Sequence, residues 1–177
     1  GKIATDHLVD AFDMSYYAAC RCDGLPDVAV YHEGSQSVEP PVRIYADHDR
    51  DLLALQSDVP VSPSEATEFA ACLSGWIAEQ DALPLYLSGL PADKDGQPEL
   101  HGVATGEAGD LLEAHDITAP PQSGFVSGPT GNLLSRAERD DLDSLGFVVE
   151  SNAQFPDPEA ARTLLVDAIA PVAGIDV

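Results

Sequence analysis

Basic residues are what this 177-residue chain has least of: two lysines and six arginines stand against 31 aspartates and glutamates, a formal net charge of −23 at pH 7. Proteins hold nucleic-acid backbones by neutralising phosphates with Lys and Arg, so DNA and RNA are excluded as partners, and an anionic membrane surface is disfavoured for the same reason. No run approaches 18 consecutive apolar residues, which argues against a spanning helix, and no basic segment leads into an apolar stretch near residue 1. The expectation is a cytoplasmic protein with no membrane partner. Cysteine is sparse too. Cys20, Cys22 and Cys72 are an odd number with no C-x-x-C pair, a pattern that predicts reduced, packed thiols rather than a disulfide framework or a metal site. H-E-x-x-H, zinc-type Cys/His spacings, the G-x-S-x-G elbow and both glycine-rich nucleotide fingerprints are missing as well. Neither a metal nor a cofactor is predicted.

What is present points to a folded domain. A content of 44% hydrophobic residues, with 14 Gly and 14 Pro, predicts one globular domain over residues 1–177. The charge is far beyond the range of about 2 to 8 suited to a small domain in ordinary buffer, and self-repulsion at that density opposes compaction. The Debye length falls from roughly 10 Å at 0.1 M salt to about 3 Å at 1 M, so molar salt removes most of the repulsion. Scarce lysine with acid spread along the whole chain resembles proteins of salt-accumulating archaea, and predicts a halophilic, acidic protein.

Along the chain, Ile3, Ala4, His7, Leu8, Ala11 and Phe12 share one face of a first helix, with His7 at the core edge. Met14 to Cys22, Val28 to His32, Val42 to Ala46 and Leu52 to Ser57 are strand-like, and Pro40-Pro41 predicts an edge position for the third of them. Ser62-Pro63-Ser64-Glu65 is a capping box ahead of Phe69, Ala70, Leu73 and Ile77 at helical spacing, with Trp76 at the border. Leu83 to Leu87 reads as a buried strand ending at Ser88-Gly89-Leu90-Pro91, followed by a turn at Asp93-Lys94-Asp95-Gly96. Glu99 to Thr105 and Leu145 to Val149 are further strands, Ala108 to Ala114 a short helix, and Asp157-Pro158-Glu159 caps a last one.

Gly124 to Leu134 carries the sharpest local signal: a short buried strand, a tight glycine loop, and a helix opening with Gly128 as N-cap and Pro129 at its first position. Free N–H groups at such a start can hold an anion. These elements predict a single-domain α/β layered fold with a mostly parallel, mixed central sheet flanked by helices. Ligands in such sheets sit beyond the strand carboxyl ends. There the chain places Ser88, Gly89, Ser127, Gly128, Thr130, Gly131 and Glu150, which together suit a neutral, hydroxyl-rich ligand or a phosphate. No base or nucleophile stands among them in a catalytic pattern, so no catalytic residue is predicted.

Gly1-Lys2-Ile3-Ala4, Ser88-Gly89-Leu90-Pro91, Ser127-Gly128-Pro129-Thr130-Gly131-Asn132-Leu133-Leu134 and Phe155-Pro156-Asp157-Pro158-Glu159-Ala160-Ala161 together resemble the archaeal proteasome-assembly-chaperone-like family. The resemblance covers essentially the whole chain. It implies a fold similar to purine nucleoside phosphorylases, homo-oligomerisation, and binding of proteasome α-subunits without nucleotide hydrolysis. Some family members resemble ATP-grasp or carboxylate-amine ligases, a role that two lysines serve poorly. Family chains usually begin with an earlier strand and continue further, so this chain is expected to lack both. Ring-docking chaperones end in a hydrophobic-Tyr-any tripeptide, where Ile175-Asp176-Val177 has Asp. The functional expectation is a non-catalytic assembly factor; the alternative is a nucleoside- or phosphate-binding protein or enzyme using the strand-end crevice. If self-repulsion dominates, the melting temperature rises by on the order of 10 °C between 0.1 M and molar KCl. A flat calorimetric series would show that the charge is already compensated.

Overall fold

The computed structural model describes residues 1–93, 96–154 and 156–177. The expected turn at Asp93-Lys94-Asp95-Gly96 and the Phe155 that opens the last motif lie partly or wholly outside them. Helix α1 (Lys2–Ala11) leads into β1 (Ser15–Ala19), a two-residue ribbon β2 (Val30–Tyr31) and β3 (Val38–Glu39), then β4 (Val42–Asp47) and β5 (Leu52–Ser57). Helix α2 (Ala66–Glu79), β6 (Leu85–Pro91), β7 (Leu100–Thr105), α3 (Gly109–Ala114), α4 (Gly128–Arg139) and β8 (Ser144–Ser151) follow. The chain closes with α5 (Pro158–Thr163), a π-helical segment (Leu164–Ile169) and α6 (Ala170–Ala173). The π segment runs into Pro171, which has no N–H for the helix ladder and crowds the preceding turn, so widening that turn relieves the ring.

The central sheet expected to be mostly parallel is instead split. One sheet has the order β1-β4-β5 and is wholly antiparallel; the other has the order β6-β8-β7, with β8 parallel to β6 and antiparallel to β7. Strand β4 sits at the centre of its sheet, not at an edge. The two prolines lie just before the strand, and their carbonyls are still used: Pro41 accepts from Asp58 N at 2.9 Å and Pro40 from Arg43 Nη1 at 2.9 Å. Between β4 and β5, Asp47 closes the turn by accepting from Asp49 N, Arg50 N and Arg50 Nη1. The Arg50 hydrogen bond foremost, then backbone donors, hold its carboxyl below the usual range. That contribution is present above the ordinary carboxylate pKa and fades as pH falls through the lowered one. Arg50 also lies 3.9 Å above the Phe12 ring, tying this hairpin to the end of α1.

Strand β8 is the spine of the core. Leu145, Phe147 and Val149 are 0 to 1% exposed and face Leu164, Leu165, Ala168 and Ile169 together with Ala4 and Leu8 of α1. On its other face Gly146 leaves room for Leu134 of α4 and Val103 of β7. A second cluster, Phe69, Ala70, Leu73 and Leu133, joins α2 to α4, which run side by side. His7 points to solvent rather than to the core edge. The thiols expected to be reduced are not all so: Cys22 and Cys72 form a disulfide across this second cluster. Cysteine spacing alone showed no pair, because α2 reaches Cys22 only through tertiary packing.

Four helices stop in the same way, and the sequence reading overlooked it. Asp13, Asp81, Asp116 and Asp141, each just past a helix end, take left-handed φ values of 47 to 55°, where glycine is the common choice. Met14, Ile117 and Leu142 follow three of them and donate backward to Val9, Leu112 and Ala137 oxygens at 2.9 to 3.0 Å, closing the last turns. A carboxylate at a helix C-terminus opposes the helix dipole. Asp141→Asn therefore gains about 0.3 to 1 kcal/mol at 0.1 M salt, and the gain shrinks in molar KCl. Unfolding titrations at both salts that show an equal or negative change would remove the dipole penalty from this account.

Candidate functional site

The glycine loop is built differently from the sequence expectation. No strand forms over Gly124 to Val126, and Phe125 is 92% exposed rather than buried. The helix start is displaced by one residue: Ser127, extended at φ −112° and ψ 179°, is the N-cap of α4, and Pro129 takes the second helical position. Gly128 has φ +71°, which a residue with a Cβ adopts only with strain. Gly131 is required for another reason, since a Cβ there would overlap the Val126 carbonyl oxygen. The loop is braced from outside: Asn132 Nδ2 donates to Gly128 O at 3.0 Å, and Thr67 Oγ1 of the neighbouring α2 donates to Asn132 Oδ1 at 3.2 Å.

Strand β6 runs on through Pro91, so Ser88 and Gly89 sit within the ladder, opposite Val148 and Val149, instead of beyond its end. Gly89 makes room for Ser151, whose Oγ is 2.5 Å from where a Cβ would sit. Glu150 is committed to the sheet. Its Oε2 accepts from Glu99 N at 3.1 Å and its own N donates to Glu99 O at 2.9 Å, closing the start of β7. Among the described residues, no hydrogen bond joins Ser88 or Glu150 to the Ser127 to Gly131 loop. Among the described residues, the hydroxyls of Ser88, Ser127 and Thr130 make no hydrogen bond.

Several of the chain's cations are engaged by its own carboxylates. Arg136, the first basic residue after the loop, lies with its Nε 3.5 Å from Asp140 at the far end of α4, and Arg139 faces the same carboxylate at 3.8 Å. Lys2 Nζ pairs with Asp6 at 2.7 Å and Asp58 at 3.6 Å. A knot not foreseen from sequence surrounds Asp58. Arg43, only 3% exposed in the middle of β4, reaches Asp58 Oδ2 at 2.6 Å, while His32 of the ribbon turn lies 2.9 Å from Glu39 and 3.8 Å from Asp58. Burial works against the Arg43 charge, but its hydrogen bond to Tyr45 and its ion pair with Asp58 outweigh it and hold its pKa above the ordinary value. Lys2, Arg43, Arg136 and Arg139 are thus already paired and not free for an anion at α4.

A cavity of about 410 Å³ opens at the opposite ends of α2 and α4, lined by Ser74, Ile77, Tyr86, Asp81, Asp141 and Asp143 among others. Burial pushes the Tyr86 hydroxyl up to about 12, so it stays protonated there. Apolar groups also reach solvent. Tyr31 and Val38, paired across the β2–β3 ribbon, are 80% and 68% exposed, and Tyr16 and Tyr17 stand on β1, the outer strand of its sheet. Among the described residues there is no group of three or more His, Cys, Asp or Glu suited to a metal ion, and no helix long and apolar enough to cross a membrane.

Removing one partner from the knot strands a buried charge, so Arg43→Met costs about 3 kcal/mol in an unfolding titration at fixed salt. A loss under about 1 kcal/mol would show the pair to be screened like a surface bridge.

Comparison with known proteins places this geometry. The profile of the PAC2 family matches residues 1–177. An uncharacterized protein of Methanocaldococcus jannaschii is 27% identical over 167 residues, spanning 93% of this chain and 67% of that one. Among solved structures, PbaA of Pyrococcus furiosus, described as an archaeal homolog of proteasome-assembly chaperone, superposes with a TM-score of 0.86 at 23% identity over 99% of this chain and 73% of its own. PbaB of the same organism, described as an archaeal proteasome activator, gives 0.80 at 20% identity over 99% and 79%.

Proposed function

The chain belongs to the PAC2 family, and we propose that it acts within it as a non-catalytic assembly factor that binds proteasome α-subunits. Family membership over the whole length carries this reading, and the likeness in fold to PbaA, itself described as a homolog of proteasome-assembly chaperone, supports it. Physical chemistry says how such binding would have to work. At −23 the chain repels an acidic partner in dilute buffer, and in molar salt long-range steering is screened to a few ångströms. Affinity then rests on apolar anchors, the role that exposed aromatic side chains fill at interfaces. Phe125, Tyr31 and Tyr16 are such groups. The reading includes homo-oligomerisation, a halophilic cytoplasm as the setting and a phosphorylase-like ancestry for the fold.

A second reading, binding of a nucleoside or phosphate at Ser88, Gly89, Ser127, Gly128, Thr130, Gly131 and Glu150, is favoured by the hydroxyls of Ser127 and Thr130 at the N-terminus of α4, which have no hydrogen-bond partner among the described residues. The ligase form of that reading is the weaker one, because Lys2 and Arg136 are both held by carboxylates.

The test is capture of α-subunits by the protein in molar KCl. Retention of free α-subunits or half-rings is expected, weakened about tenfold by Phe125→Ser or Tyr31→Ser, equivalent to about 1.4 kcal/mol. No capture by a folded, soluble sample sinks the assembly role, and a heat signal on titrating adenosine or phosphate into that sample would move the assignment to the second reading.

A further inference from the structure

All three cysteines of the chain meet at one place. Cys20 and Cys22 lie just past β1, Cys72 lies on α2, and Cys22 and Cys72 are bonded with 50 residues between them. Cys20 is the free thiol, and its Sγ is 3.5 Å from the Sγ of Cys22. The three differ in access. Cys20 and Cys22 are half-buried against the cluster of Phe69, Ala70, Leu73 and Leu133, whereas Cys72 faces solvent on the outside of α2. A thiol in contact with one sulfur of a disulfide meets the proximity that exchange requires, since the reaction is attack of a thiolate on that sulfur with expulsion of the other.

We propose that Cys20, Cys22 and Cys72 form a thiol–disulfide exchange centre, in which Cys20 attacks Cys22 and releases Cys72 as a solvent-facing thiol. Cys20 gives up its proton to water and its sulfur bonds to Cys22. The Cys22–Cys72 bond breaks, its electron pair leaves on Cys72, and Cys72 takes up a proton. One disulfide and one thiol exist before and after, so no oxidant or reductant is consumed. Burial raises the pKa of the Cys20 thiol, so in the resting arrangement it waits protonated.

The exchange changes two things at once. It transfers the reactive thiol from a half-buried position to the exposed side of α2, where low-molecular-weight disulfides can reach it, and it replaces a long-range tie with a local one. The segment after β1 is then no longer bonded to α2.

The experiment uses the whole chain, purified without reductant in molar KCl and incubated before acid quenching and alkylation with N-ethylmaleimide. Proteolysis at acidic residues and mass spectrometry then locate the label. Label is expected on both Cys20 and Cys72, with Cys72 holding at least about a tenth of the total after equilibration. Cys20→Ser should leave the Cys22–Cys72 bond in place and remove labelling at Cys72. Cys72→Ser should form a Cys20–Cys22 disulfide under mild oxidation, losing both remaining thiols. Label confined to Cys20 after long incubation, label on all three residues, or a Cys72→Ser protein that keeps two free thiols would each overturn the proposal.

Discussion

Arg43 sits in the middle of the antiparallel sheet, almost wholly removed from water, and its place there rests on Asp58. Burying a guanidinium costs several kcal/mol unless a counter-ion and hydrogen bonds meet it, and here Asp58, Tyr45 and the Pro40 carbonyl do so. Meeting that demand draws four parts of the chain together. Lys2 brings the start of α1, His32 and Glu39 bring the small ribbon, Arg43 belongs to β4, and Asp58 follows β5. In a chain with 31 acidic residues against eight basic ones, the scarce partner is the cation. Lys2, Arg43, Arg50, Arg136 and Arg139 are all engaged by carboxylates of the same chain. That commitment leaves these five cations unavailable to a phosphate at the glycine loop before α4.

The acid surplus also shapes local structure. Asp stands at four helix stops where the backbone must turn left-handed, and its short side chain tolerates that conformation better than most. The choice is unfavourable for the helix dipole in dilute buffer and is relieved as salt screens the charge. The same screening weakens electrostatic attraction between surfaces, whereas burial of apolar area is not weakened by salt. The aromatics on the ribbon, on β1 and at Phe125 are exposed on this acidic chain.

Much of the layout was legible in the residues. Periodicity located α1, α2 and α4 and the strands β4, β5, β7 and β8 closely, because those elements bury a regular face. The Asp157 cap is present, accepting from Ala160 N at 3.0 Å. The stretch around Phe125 differs from the expectation because a short apolar run looks the same whether it is buried or exposed. At Ser88 and Gly89 the strand continued past the residues taken as its end, since pairing with Val148 and Val149 extends it regardless of local composition.

The chain by itself determined its charge, the type of most elements and the glycines that the α4 loop demands, because these follow from residue chemistry and short-range sterics. Tertiary structure decided the rest: that the sheet divides and runs partly antiparallel, that β4 is central despite its prolines, that Glu150 caps β7, and that Cys72 finds Cys22. Each of these depends on which distant segment lies alongside, and that is set by the summed burial of many side chains around β8 and by the demands of one buried arginine.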